Sequence, residues 1–438
     1  EINMNTTLSW FSIIRLGLVQ MALGSIIVLT TSTLNRLMIV EGALPAVIPG
    51  LLVSFHYGIQ ITRPAWGFFS DTGRTRTKWI LIGMCTLALG GILATVGVIL
   101  IKSNFLVGII TSIAAYGLIG LGVGAAGTSL LAYLAIATAP QRRAAAASLT
   151  WLMMIFGIAI TAVIVGNLIE PYSDKRILTV ISSVCLIAVV VTLLAVFGIE
   201  KKSPYRNSVS SDETISIVKG LREVWIEPKA RLFTIFVALS MTAYFMQELI
   251  LEPYAGLVFN LTPGQTTSLS GIQNGGVFLG MLTVGITVSG FKIGSLRVWV
   301  FIGCVGSALS LIAISAFAYN DFGLPFSLPV ATLGFCNGVF AVGAIGSMMQ
   351  LAGTGKLNRE GTRMGLWGAS QAIAAGFGGL LGTVLVDVFR LLFSNPADAF
   401  GLVFSLEASL FVLAALMSLK IIDHNQKTVA NQPIGVGE

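Results

Sequence analysis

The chain has 438 residues, of which 55% are hydrophobic and only 10% charged, with a mean hydropathy of +0.89. A soluble globular domain carries about 25% charged residues, so that class is excluded. The formal net charge of +7 is explained by membrane topology and attraction to anionic headgroups, and calls for no nucleic-acid partner.

Asn5 to Ile14 reads as a short interfacial helix with Trp10 and Phe11 at headgroup level. No basic region followed by a short apolar stretch and a cleavage site marks a removable signal peptide. Apolar runs long enough to span a bilayer then fall at 13–38, 44–66, 79–101, 105–138, 144–169 and 177–199. A second set follows at 232–257, 267–289, 298–318, 327–351, 364–393 and 400–421. The sequence therefore predicts an all-α polytopic membrane protein of about twelve transmembrane helices in two six-helix bundles, at 1–199 and 232–421. The polar stretch 200–231 is a cytoplasmic linker, in which Ile215, Val218, Leu221, Val224 and Trp225 recur at amphipathic-helix spacing from Asp212. The tail 422–438 has no periodicity and reads as flexible.

Orientation follows from the basic residues. With the amino terminus inside, only Arg36, Lys102, Lys175, Arg176 and Arg390 of the 26 Lys and Arg fall on the outer side. That asymmetry puts both termini in the cytoplasm. Cys85, Cys185, Cys304 and Cys336 each lie in a span and read as buried structural thiols. No nucleophile–base or metal-ligand spacing is present, so no catalytic residue and no metal site is assigned.

Polar residues inside apolar spans are costly and point to function. Asn35 and Arg36 end the first span, with Glu41 five residues on. His56 and Gln60 share a face of the second, where the imidazole is a satisfied buried group, a proton carrier or an axial ligand to a tetrapyrrole magnesium. Span four holds Gly120, Gly122, Gly124 and Gly127, and span ten Gly334, Gly338, Gly343 and Gly346, which let helices approach closely. A nucleotide loop at Gly120 to Gly124 is excluded because no strand precedes it.

Span seven carries the sharpest signal, the string Gln247-Glu248-Leu249-Ile250-Leu251-Glu252-Pro253-Tyr254-Ala255-Gly256. Glu248 and Glu252 share a helical face and lie either at the outer membrane surface or against a cavity, a ligand or a partner charge. Arg36, at the same level, either pairs with them across the bundles or meets an anionic ligand group. Pro253 disfavours helical geometry at Glu252 and leaves carbonyls of the preceding turn in need of partners. Gln273 and Asn274 in span eight read as interhelical hydrogen-bonding groups, and Asp387 and Arg390 as a local pair.

Between spans two and three, Gly67-Phe68-Phe69-Ser70-Asp71-Thr72-Gly73-Arg74-Thr75-Arg76 resembles the loop signature of major facilitator transporters. Gly67 and Gly73 permit a tight turn, while Asp71, Arg74 and Arg76 can pair across helix ends as a conformational latch. Arg15, Arg143 and Trp151 in the first half answer to Arg231, Arg359 and Trp367 in the second, as a parallel repeat requires.

Thr33-Leu34-Asn35-Arg36-Leu37-Met38-Ile39-Val40-Glu41, the span-seven string and Phe69-Ser70-Asp71 together resemble the PucC/LhaA family, a branch of the major facilitator fold found with chlorophyll pathways. The loop after Asp71 is shorter than that family's pattern. The resemblance implies a multi-pass protein of a bacterial inner or photosynthetic membrane. It further implies assembly of light-harvesting antenna complexes, with (bacterio)chlorophyll as cargo and antenna polypeptides or pigment-synthesis enzymes as partners. Asn35, Arg36, His56, Gln247, Glu248, Glu252 and Tyr254 are then the candidate binding residues. The alternative is a proton-coupled secondary transporter of a small, amphipathic solute; an enzyme has no residues to support it.

Overall fold

The computed structural model describes residues 8–62, 75–139, 142–200, 225–290, 293–352 and 360–421. Of the latch residues, Gly67, Asp71, Gly73 and Arg74 lie outside these, as do the helix expected from Asp212 and the tail. Twelve helices follow one another, and the described residues contain no strand. The first six are α1 (Trp10–Glu41), α2 (Val47–Ile59), α3 (Arg76–Ile101), α4 (Phe105–Ala137), α5 (Arg143–Leu168) and α6 (Asp174–Val196). The second six are α7 (Pro228–Phe259), α8 (Pro263–Val284), α9 (Leu296–Ala316), α10 (Ser327–Ala352), α11 (Glu360–Leu392) and α12 (Pro396–Ile421). All but α2 are long and apolar enough to cross a membrane; α2 runs on through a tighter turn, Gln60–Thr62, to the edge of the described residues.

Helix ends fall where the sequence supplies caps. Ser9 accepts from the Ser12 amide at 3.2 Å, which makes Trp10 and Phe11 the first turn of α1 and not a separate interfacial helix. Thr262 and Gln265 form a reciprocal capping box at α8, with Pro263 in the first turn. Asn260, at a φ of 54°, ends α7 in the left-handed conformation. At the other end of the protein, Glu200 accepts the Arg76 amide at 2.5 Å and the Thr77 hydroxyl at 2.6 Å, so a residue that follows α6 caps α3. Arg76 therefore opens α3 at this cap.

Buried apolar side chains gather into two main clusters. One is drawn from residues 8–199 with Leu249; the other from residues 233–415 with Ile39 and Ala46. The exchanged residues mark α1, α2 and α7 as the helices that cross the boundary. Much of the expected glycine packing is present on both sides of it, although Gly127 of α4 faces open space. A Cβ on Gly122 of α4 would lie 2.5 Å from the Leu87 nitrogen of α3, and one on Gly334 or Gly338 of α10 would run into the carbonyls of Gln273 or Val277 on α8. Cys185 and Cys304 are buried in the bundles, whereas Cys85 is exposed on the flank of α3 and Cys336 is intermediate.

Across the boundary, α5 packs on α8 and α2 on α11, while α1 meets α7 and α8. The loops that follow α1, α5, α7 and α11 lie at one end of the bundle, called here the distal end, opposite the described chain ends. From the charge asymmetry we propose that this end faces the outside. In a background without native cysteines, Ser173→Cys is expected to react with a membrane-impermeant maleimide on sealed cells, and Ser203→Cys only after permeabilisation. Labelling of position 203 on sealed cells would reverse the orientation.

A polar junction between the two halves

The distal part of α1 is not a regular α-helix. Two π turns, Leu29–Thr33 and Leu37–Glu41, flank the short α segment Leu34–Arg36. Each widened turn re-aims the side chains beside it. Thr30, Thr31, Ser32, Thr33, Asn35 and Arg36 are all buried as a result, in a segment that crosses an apolar medium. Thr30 and Thr31 donate back to carbonyls of the preceding turn, and Thr33 shares a hydrogen bond of 3.0 Å with Thr267 on α8.

Pro253 accounts for the contact with α7. A proline has no amide hydrogen, so inside a helix it frees the carbonyl four residues earlier, which here is Leu249. The Asn35 amide nitrogen donates to the Leu249 oxygen at 2.7 Å. The helix itself continues unbroken from Pro228 to Phe259, so Glu252 keeps helical geometry, contrary to the expectation from its position before proline. The vacancy that proline creates is filled from the other half of the protein.

Arg36 is 2% exposed and its partners differ from those expected. Nη1 pairs with Glu41 at 2.6 Å, and Nη2 donates to the Leu261 carbonyl at 2.8 Å. Five residues is the hydrogen-bonding step of a π turn, so the turn Leu37–Glu41 folds the Glu41 carboxylate back beneath the guanidinium. Neither Glu248 nor Glu252 forms the ion pair. Gly256 makes room for the arrangement, since a Cβ there would lie 3.2 Å from both Nε and Nη2 of Arg36.

Glu252 is buried and accepts a short hydrogen bond from the Ser270 hydroxyl of α8, with Thr266, Ser32 and the Arg36 charge nearby. Glu248, one turn earlier, is partly exposed. Gln247 is buried, and its Oε1, like Asn35 Oδ1, has no donor among the described residues. Thr33, Asn35, Arg36, Leu249, Glu252, Thr267 and Ser270 form one junction of α1, α7 and α8, with Gln247 and Glu248 on the adjoining turn of α7. His56 lies apart on α2, buried, with Nε2 3.0 Å from the Gln60 amide nitrogen and its ring against Tyr57. Tyr254 is not part of the junction either. Its hydroxyl donates to the Ile314 carbonyl at 2.9 Å, and its ring packs among Phe259, Phe326, Phe400 and Phe404 in the second bundle.

Two further carboxylates join the halves at the distal end. Asp387 of α11 accepts from the Ala46 and Val47 amides at 2.9 and 2.7 Å and so caps α2, instead of pairing with Arg390. Glu170, just after α5, accepts from the Gly264 amide at 2.8 Å and so caps α8. The step that carries Trp151 onto Trp367 carries Val47 onto Pro263, and Glu170 onto the residue before Asp387. The two caps are thus nearly equivalent under the internal repeat. Sequence reasoning missed Glu170, because a lone carboxylate at a span end looks like ordinary surface, and read Asp387 as a local partner of Arg390. It also missed Glu407, fully buried in α12, which the test applied to Glu248 would have found. Among the described residues no group of three His, Cys, Asp or Glu side chains is placed to hold a metal.

The proline account makes a sharp expectation. Asn35→Leu strands the Leu249 carbonyl and should cost about 1–3 kcal/mol, read as a lower unfolding midpoint in detergent. Pro253→Ala restores an in-helix donor, so in combination with Asn35→Leu it should recover part of the loss. Additive losses in the double variant would refute the link.

The arrangement of the twelve helices is shared with solved transporters. The nucleoside transporter NupG superposes with a TM-score of 0.68 at 13% identity, over 94% of this chain and 100% of that one. A bacterial homologue of the human lysosomal transporter Spinster, inward-facing and unoccupied, gives 0.67 at 12%, over 94% and 98%. At such identities the likeness is one of fold, the major facilitator fold. In sequence the chain is 59% identical over 416 residues to the "Bacteriochlorophyll synthase 44.5 kDa chain" of Rhodobacter capsulatus, covering 95% of this chain and 96% of that protein. It is 30% identical to "Protein PucC" of Cereibacter sphaeroides, over 94% and 92%. The family model described as PUCC protein matches residues 33–426, and the chain belongs to that family.

Proposed function

We propose that this protein is a non-enzymatic assembly factor for light-harvesting antenna complexes. In this reading it binds or delivers (bacterio)chlorophyll, or shields antenna polypeptides, in the photosynthetic or inner membrane of a bacterium, with both termini in the cytoplasm. The observation that carries the reading is the junction of α1, α7 and α8, because the two strings that build it are those by which the chain resembles the PucC/LhaA family. Support comes from the names of its relatives, one called a bacteriochlorophyll synthase chain and another PucC.

The residues bear on what such a site can hold. Asn35 Oδ1 and Gln247 Oε1 are buried acceptors open to a donor, and the Glu252 carboxylate sits beside hydroxyls. Such groups orient a polar edge of a cargo or partner, and do not by themselves supply a reaction. The His56 Nε2 is engaged by Gln60, so an axial-ligand role requires that contact to open.

A second reading, a proton-coupled secondary transporter, is favoured by one feature: Glu252 is buried where the two halves meet, the place where such folds couple ions to alternating access. The absorption spectrum of the protein purified in detergent from its photosynthetic host separates the two. Assembly predicts co-purified tetrapyrrole, and antenna accumulation that falls severalfold in Glu248→Gln while the protein itself stays inserted. A colourless protein that catalyses proton-linked uptake, with normal antenna levels in the variant, would overturn the proposal.

A further inference from the structure

The flank where α5, α8 and α10 meet carries a groove of about 750 Å³. Phe156, Ile160 and Val163 form one wall, Gly275 and Leu279 the floor, and Phe335 the opposite wall. It offers no free polar group, since the Thr332 hydroxyl is already bonded to the Leu328 carbonyl at 2.9 Å. Gly275 leaves it open, because a Cβ there would meet nothing within 4 Å.

Further along α5, at its distal end, lies a second pocket of about 580 Å³, where Leu168 and Val180 accompany the polar and charged Asn167, Glu170, Ser173, Lys175, Arg176 and Thr179. Asn167 is one helical turn beyond Val163 on the same exposed face of α5. Carboxylates near this pocket already have partners: Glu170 accepts the Gly264 amide, and Asp174 pairs with Lys102 at 2.6 Å. Arg176 donates to the backbone carbonyls of Glu170 and Pro171. Neither Lys175 nor Arg176 has an ion-pair partner among the described residues. An apolar slot and a cationic head pocket thus share one stripe of α5.

Depth identifies the occupant. At 1.5 Å per residue, Phe156 lies about 16 Å below Asn167, which is half of the roughly 30 Å hydrocarbon core. A partner helix would need contact through both leaflets; an acyl chain needs one. We propose that this flank binds a phospholipid of the distal leaflet, its chain in the groove and its anionic phosphate head on Lys175 and Arg176. Because the slot is walled by α5 from one half and α8 and α10 from the other, the lipid bridges the two halves beside the Glu170 cap.

Native mass spectrometry of the delipidated, detergent-purified protein, titrated with phosphatidylglycerol or phosphatidylcholine, tests this. Wild type should retain one phosphatidylglycerol in preference to phosphatidylcholine. Lys175→Gln with Arg176→Gln should weaken phosphatidylglycerol retention by about tenfold and abolish the preference. Gly275→Leu fills an open space, so it should block both lipids while the unfolding midpoint stays at the wild-type value. Equal retention of the two lipids by wild type, or unchanged retention in a folded Gly275→Leu protein, would overturn the proposal, as would displacement of the lipid by a co-purified pigment.

Discussion

A backbone carbonyl without a donor cannot be left in hydrocarbon, and Pro253 creates one in the middle of a membrane-spanning helix. The bond from Asn35 to Leu249 meets that demand, and much of the junction follows from it. To deliver Asn35, α1 must present a polar face towards α7, which its two π turns achieve. The same face buries Arg36, and a buried guanidinium in turn requires a carboxylate and a carbonyl, supplied by Glu41 and Leu261. Gly256 must then stay small. One missing amide hydrogen thus ties together residues from two strings that lie more than half a bundle apart in sequence.

The distal caps extend the logic. Glu170 and Asp387 each reach across the boundary to amides at the start of a helix, where the helix dipole favours negative charge. Because the two caps are related by the internal repeat, they close the distal end on both sides of the junction. The junction and the caps together hold the halves through the distal part of the protein.

Much of this was legible in the sequence for a simple reason: in a membrane, apolar length and basic-residue placement are almost the only constraints on span number and order. The glycine contacts of α4 and α10 were visible because small residues at helical spacing have one main use in such proteins. Pro253 announced an unsatisfied carbonyl, but not which residue would meet it. Arg36 was placed at the outer end of its span, with Glu248 and Glu252 or an anionic ligand as its partner, since no pattern in Leu29 to Glu41 reports a π turn and a regular helix would have turned Glu41 elsewhere. Asp387 was read as local because capping depends on which helix start lies beside it, a matter of tertiary packing. Tyr254 belongs to the family string but serves the aromatic core of the second bundle.

We propose that the junction acts on a cargo or partner and does more than join helices. Glu252 is the residue on which these roles part, because its hydrogen bond to Ser270 is local to the second half while Ser32 and Arg36 of the first half lie near it. The direct measurement is antenna absorbance per unit of immunodetected protein in photosynthetically grown cells carrying Glu252→Gln. A functional junction predicts a severalfold fall in that ratio with the protein at wild-type abundance. An unchanged ratio, with antenna falling only as far as the protein does, would contradict the claim and leave the junction a purely structural one.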